Sequence, residues 1–137
     1  PGLADYVITF RKPGKNQVPI KNDLPFETWC KLAEPVWMDI NESDVISNFR
    51  SGKGKNDEKH MTPTQLSVIR NCYLLWSNKG DTCFSPFGGV GSEGCQAVKM
   101  GRKSINIELK KSYFDINVMN HKAFELEKNS VLTLFPN

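Results

Sequence analysis

The stretch Thr82-Cys83-Phe84-Ser85-Pro86-Phe87-Gly88-Gly89-Val90-Gly91-Ser92-Glu93-Gly94 decides how the second half of this chain reads. Thr82-Cys83-Phe84 reads as a short strand. Pro86 to Gly91 is a glycine-rich turn. Ser92 to Met100 reads as a helix, with Ser92 as its N-cap and Gly101 as its C-terminal stop. Gly89, Gly91 and Gly94 satisfy the spacing G-x-G-x-x-G. Glycine admits unusual dihedrals and lets another group approach the main chain. The free N–H groups at the start of the helix are ready donors. Alone the motif is weak, because glycine-rich turns also serve packing.

The flanking residues strengthen it. Ser104-Ile105-Asn106-Ile107-Glu108 reads as a second strand, and Glu108 lies 17 residues after Gly91. A carboxylate at that strand end can accept hydrogen bonds from both hydroxyls of a ribose. Strand, glycine turn, helix, strand and terminal carboxylate together favour an adenosine-type cofactor over a structural turn with a solvated glutamate. A dinucleotide needs a second mononucleotide half, and 43 residues follow Gly94. A mononucleoside ligand such as S-adenosylmethionine fits more easily than a nicotinamide dinucleotide.

Further out, Lys111 to about Glu127 reads as a longer helix with Tyr113, Phe114, Ile116, Val118 and Phe124 available for packing. Val131-Leu132-Thr133-Leu134-Phe135 reads as a last strand. On the other side, Leu66, Ile69, Cys72, Tyr73 and Trp76 fall on one helical face, and Asn78-Lys79-Gly80-Asp81 stops that helix. The order helix, strand, glycine loop, helix, strand, helix, strand implies parallel strands joined by crossovers, an α/β sheet.

The first half is less regular. Tyr6-Val7-Ile8-Thr9-Phe10 reads as a strand ended by the basic turn Arg11 to Asn16. Pro25 to Ala33 reads as a short helix with Phe26, Trp29, Cys30 and Ala33 at helical spacing, and Val36 to Ile40 as a short extended piece. Residues 47–59 are polar, with two glycines and four basic groups, and read as a loop or linker. Arg11, Lys12 and Lys15 in the first turn, and Arg50, Lys53, Lys55 and Lys59 in the loop, are candidates for phosphate contact. A solvated surface is the alternative. The chain thus divides into residues 1–59 and an α/β unit over residues 60–137.

Composition sets the outer bounds. The 137 residues, 39% hydrophobic and 24% charged, are enough for one domain with a core. They argue against wholesale disorder, a collagen and a disulfide scaffold. No apolar run approaches the roughly 20 residues of a membrane span, and the first residues lack the pattern of a secretory signal. They also lack an initiator Met, which suggests a processed product or a piece of something longer. The net charge is +3, and the surplus lies in residues 61–137, with nine basic against six acidic side chains. Such a balance permits nucleic-acid binding without demanding it. Cys30, Cys72, Cys83 and Cys95 form no C-x-x-C hook and only two histidines are present. The sequence therefore implies no metal site, and it favours buried free thiols in a reducing cytoplasm.

Several segments together carry a resemblance. They are Glu58-Lys59-His60-Met61-Thr62-Pro63-Thr64-Gln65, Trp76-Ser77-Asn78-Lys79-Gly80-Asp81 and Ser85-Pro86-Phe87-Gly88-Gly89-Val90-Gly91-Ser92. The chain resembles the amino-methyltransferases of DNA. In them a His-Pro-Thr-Gln-Lys-Pro-like segment precedes an Asp-Pro-Phe-x-Gly-x-Gly loop. The 25 residues from His60 to Ser85 match that spacing. Ala4 to Gly14 and Pro35 to Ile40 are similar to the bacteriophage-type enzymes. The likeness covers about residues 3–126.

The resemblance implies a Rossmann-like S-adenosylmethionine-dependent methyltransferase fold, present only in part, and it implies roles. Phe87, Gly89, Gly91 and Ser92 wrap the cofactor, Ser85 stands at the loop entrance, and Glu108 holds the ribose. Leu109 and Tyr113 border the adenine. His60, Thr62 and Gln65 line the methionine end, while Trp37 and Asp39 are weaker candidates for the cofactor pocket or target base. The full enzyme would move a methyl group to adenine N6 or cytosine N4 of a flipped base. Its partner would be DNA, in the cytoplasm of a bacterial host cell, with no membrane involved.

Three departures qualify this. Ser85 replaces the family's acidic residue, and Thr64-Gln65 replaces Lys-Pro. The chain also contains no Pro-Pro, whereas the family's base-holding motif is Asp, Asn or Ser followed by Pro-Pro and an aromatic residue. In the family's order that motif would lie upstream of Pro1. The expectation is therefore a cofactor-binding part, inactive alone, whose partner is the missing N-terminal catalytic part. The alternatives are a non-catalytic nucleotide- or DNA-binding module and a nicotinamide-dependent enzyme.

Overall fold

A hydrophobic face at helical spacing and two short β-rich segments build the second half of the molecule. The computed structural model describes residues 5–21, 24–46 and 62–134, with side chains to Glu127. Its elements are α1 (Phe26–Leu32), α2 (Leu66–Trp76), β1 (Thr82–Ser85), α3 (Ser92–Lys99), β2 (Lys103–Asn106) and α4 (Lys111–Leu134). β1 and β2 pair in parallel, with Thr82 opposite Lys103 and Ser85 opposite Asn106. α3 forms the crossover and packs against both strands and α4. The core joins Ile46, Val90, Cys95, Tyr113 and Ile116, with Leu66 and Phe124 against it.

The helix ends are tied down by groups remote in sequence. The first N–H groups of a helix lack partners within it. At α2, the Leu66 N–H donates to the Asp44 carbonyl at 2.7 Å and the Ser67 N–H to Asp44 Oδ2 at 2.9 Å. At its other end the buried Arg102 donates to the carbonyls of Tyr73 at 3.1 Å and Ser77 at 2.9 Å, and to Ser77 Oγ at 3.1 Å. A cation there also meets the negative end of the helix dipole.

The two strands have unlike faces. Cys83, Ser85, Ser104 and Asn106 are half-buried, while Thr82, Phe84, Lys103 and Ile105 are exposed. Phe84 and Ile105 remain 58% and 54% exposed. Parallel sheets are ordinarily covered on both faces, so among the described residues this sheet is covered on one.

Three expectations need correction. Tyr6 to Phe10 is not a strand: the segment is irregular and every residue in it is exposed. A strand is stabilised by a neighbour that takes its backbone hydrogen bonds, and no described segment pairs with this one. Residues 131–134 are not a last strand but the end of α4. A helix satisfies its backbone locally, whereas the β preference of Val131-Leu132-Thr133 counts only where a sheet edge is within reach. Ser92 is not the N-cap of α3 but its first residue; Gly91 takes the cap position at φ 98°. The loop 47–59 lies outside the described residues.

Candidate functional site

The β1–α3 loop is built to expose main chain, and each glycine has a separate reason. The Gly88 N–H donates to the Ile107 carbonyl at 2.7 Å, stitching the loop to the end of β2. A Cβ on Gly88 would stand 2.9 Å from Asn106 Cβ and 3.0 Å from Asn117 Nδ2. Gly89, at φ 52°, has open space where a Cβ would be. Gly94 is inside α3, and a Cβ there would run into Asn106 Nδ2 and His121 Nε2. One glycine therefore leaves room for something outside the chain, and two permit close packing within it.

α4 holds this loop from behind. Asn117 Nδ2 donates to the carbonyls of Gly88 at 3.3 Å and Gly89 at 3.2 Å. Asn120 Nδ2 donates to the Val90 carbonyl at 2.9 Å. The sequence reading missed both asparagines. The available signal was two amides three residues apart, on the helical face shared with Tyr113 and Ile116.

In front of the loop lies a cleft of about 160 Å³, lined by Thr62, Pro63, Thr64, Phe87 to Val90, Ser92, Glu93 and Tyr113. Phe87 stands exposed at its lip and Tyr113 is buried at its base. Glu108 lies two residues beyond β2 rather than within it. Its Oε2 accepts from the Gly89 N–H at 2.7 Å and its Oε1 from the Lys110 N–H at 2.7 Å. Each carboxylate oxygen still has acceptor capacity, since a carboxylate offers about four lone-pair sites. The groups at hand fit a nucleoside: close approach to the main chain at Gly89, a carboxylate fixed beside it with acceptor capacity to spare, and a helix start at Ser92.

The structure brings Thr62, Phe87, Gly89 and Ser92 to this cleft, with Glu108 joined through the Gly89 amide. Gly91 is buried behind the lining as the cap of α3. Gln65 precedes α2 and Ser85 ends β1; neither lines the cleft. Leu109 is fully solvent-facing at 97% exposure. Trp37 is half-buried, with its indole donating to the Leu32 carbonyl at 3.0 Å, so it closes the end of α1. Asp39 is exposed. Arg11, Lys12 and Lys15 are exposed, and Arg11 closes its own turn by donating to the Gly14 carbonyl at 3.0 Å. His60, Arg50, Lys53, Lys55 and Lys59 lie outside the described residues.

Burial sets the chemistry of the ionisable groups. It pushes the Cys95 thiol up to about 12 and raises the thiols of Cys72 and Cys83. Burial likewise raises the Glu93 carboxyl and the Tyr73 phenol. No cluster of three or more His, Cys, Asp or Glu suited to a metal occurs among the described residues, and no described helix is long and apolar enough to cross a membrane.

Comparison with known proteins places this geometry. The chain is similar to the Type II methyltransferase M.BglI of Bacillus subtilis, 27% identical over 126 residues, which is 91% of this chain and 32% of that protein. It is similar to the DNA adenine methyltransferase YhdJ of Escherichia coli (strain K12), 33% identical over 61 residues, 44% of this chain and 21% of that one. The chain therefore spans about a third or less of the length of these relatives. Among solved structures, TTHA0409 of Thermus thermophilus, assigned as a DNA modification methylase and complexed with S-adenosyl-L-methionine, superposes with a TM-score of 0.61. The identity is 22%, over 83% of this chain and 41% of that one. That likeness shows the fold, a Rossmann-like methyltransferase fold. The family profile described as DNA methylase, of the N6/N4 type, matches residues 3–119. On that match the chain belongs to the N6/N4 DNA methylase family.

Proposed function

We propose that this chain binds S-adenosylmethionine in the cleft of the β1–α3 loop and serves methylation of DNA at adenine N6 or cytosine N4. The observation that carries the reading is Gly89. It lines the cleft with open space where a side chain would stand, and its N–H donates to the Glu108 carboxylate. When bound, the cofactor supplies an activated methyl group. Glu108 holds the ribose, since its remaining lone pairs can accept from hydroxyl groups while its bonds to Gly89 and Lys110 fix its direction. Phe87 covers the ligand from the lip, Ser92 offers the helix start, and Thr62, with His60 and Gln65 nearby in sequence, serves the methionine end. The contribution of these residues is position and electrostatics.

Residues 60–137 form the cofactor-binding unit and residues 1–59 belong to the catalytic or target-recognition region. Arg11, Lys12, Lys15, Arg50, Lys53 and Lys55 contact phosphates of the DNA. The segments Ala4 to Gly14 and Pro35 to Ile40 support a bacteriophage-type enzyme acting in the cytoplasm of the host. Because the 137 residues contain no Pro-Pro, base holding falls to a further part of the protein, and the chain by itself does not methylate. Titration calorimetry with S-adenosylhomocysteine and NAD, followed by incubation with labelled S-adenosylmethionine and DNA, tests this. The expected result is binding of the first ligand alone and no label in DNA. Preference for NAD would overturn the cofactor reading; labelled DNA would overturn the inactivity.

A further inference from the structure

Glu93 stands at the cleft, and no described residue forms an ion pair with its carboxylate. It is the second residue of α3, and its main chain is pinned by the Tyr73 hydroxyl, which donates to the Glu93 carbonyl at 2.9 Å. The residue is half-buried and lines the same cleft as Thr62, Phe87, Gly89 and Ser92. Among the described residues no cation is found to ease its charge; the group that does so is its own backbone N–H. The dipole at the helix start favours an anion there. Burial without a counter-charge nevertheless works against it. A ligand cation entering the cleft would offset that cost.

Ser85 sharpens the point. It stands where the family resemblance expects an acidic side chain, carries no charge, and does not line the cleft. We propose that Glu93 is the anionic anchor for the α-ammonium group of the ligand in this cleft, supplying from the first turn of α3 the charge that Ser85 lacks. This rests on the S-adenosylmethionine reading above. The ammonium then sits between the helix start and the segment of Thr62, away from Glu108 and the ribose.

The test compares wild type, Glu93→Gln and Glu93→Asp in calorimetric titrations of S-adenosylmethionine, S-adenosylhomocysteine and 5′-methylthioadenosine. The second ligand keeps the ammonium and lacks the sulfonium; the third lacks the amino-acid part. Loss of one charge-assisted hydrogen bond predicts that Glu93→Gln weakens the first two ligands about 10–100-fold, leaves 5′-methylthioadenosine unchanged, and is partly rescued by Glu93→Asp. Equal weakening of all three ligands would make Glu93 a shaping residue and overturn the proposal. So would loss confined to S-adenosylmethionine, which would point to the sulfonium, and so would no change. Failure of the wild-type chain to bind any of the three defeats the cofactor reading itself, a result distinct from any difference between variants. Circular dichroism of each variant confirms that it is folded.

Discussion

Gly94→Ala tests whether α3 sits where it does because position 94 has no side chain. In an ordinary helix interior, replacing glycine by alanine gains about 1 kcal/mol. Here the added Cβ meets Asn106 Nδ2 and His121 Nε2, and stands 2.7 Å from His121 Cε1. His121 cannot move freely. Its Nδ1–H donates to the Asn117 carbonyl at 2.9 Å, and its Nε2 accepts from Ser104 Oγ and Asn106 Nδ2 at 3.3 Å each. If the imidazole holds, α3 lifts from β2 and overpacking costs about 1–3 kcal/mol. If it turns away, three hydrogen bonds are lost at about 1 kcal/mol apiece. After the helical gain, the first route leaves up to about 2 kcal/mol of net destabilisation and the second about 2 kcal/mol. Urea unfolding followed by far-ultraviolet circular dichroism should show the midpoint falling by up to about 1 M at unchanged slope. In a His121→Ala background the same substitution should cost less, because two of the three colliding atoms are gone, though Asn106 Nδ2 remains. A Gly94→Ala chain more stable than wild type by the ordinary helical gain of about 1 kcal/mol would refute the packing argument. So would an equal cost in both backgrounds.

Asn117→Ala removes the donor to the Gly88 and Gly89 carbonyls, so it should cost about 1–2 kcal/mol in the same urea assay and weaken S-adenosylhomocysteine binding. Asn120→Ala, which removes one bond to Val90, should cost less in both. Burial raises the Glu93 carboxyl above its unfolded value, so the native chain binds a proton more tightly there than the unfolded chain. That contribution to stability is present at acid pH and is lost as pH rises through the native pKa. Glu93→Gln should therefore be more stable than wild type at pH 7, with the difference vanishing at acid pH; a less stable variant at pH 7 would contradict this. Thiol labelling followed by mass spectrometry should modify exposed Cys30 first, Cys72 and Cys83 more slowly, and Cys95 only on unfolding, since its thiol is buried and raised to about 12. Early modification of Cys95 would mean that the α3 core opens readily.

Local pattern reaches the part of this protein in which local forces decide. The strand, glycine turn and helix from Thr82 to Lys99, the second strand, and the amphipathic α2 were legible because periodicity, glycine and turn residues act within a few positions. The loop motif also pointed to Gly89 and Glu108, which the structure joins by one hydrogen bond. Tertiary structure decided the rest. Tyr6 to Phe10 and Val131 to Leu134 share β-rich composition, yet one is irregular and the other is helix. A strand's hydrogen bonds belong to its neighbour, and composition does not say whether a neighbour is in reach. The caps of α2 come from Asp44 and Arg102, on opposite sides of it in sequence. Asn117 and Asn120 became part of the site only when α4 folded behind the loop. Nothing local marks Glu93 out from any acid at a helix start; its partial burial at the cleft does. The sequence determined which backbone could open to a ligand, because a glycine's freedom is its own; the fold decided which side chains surround that opening, because burial and partnership are properties of pairs.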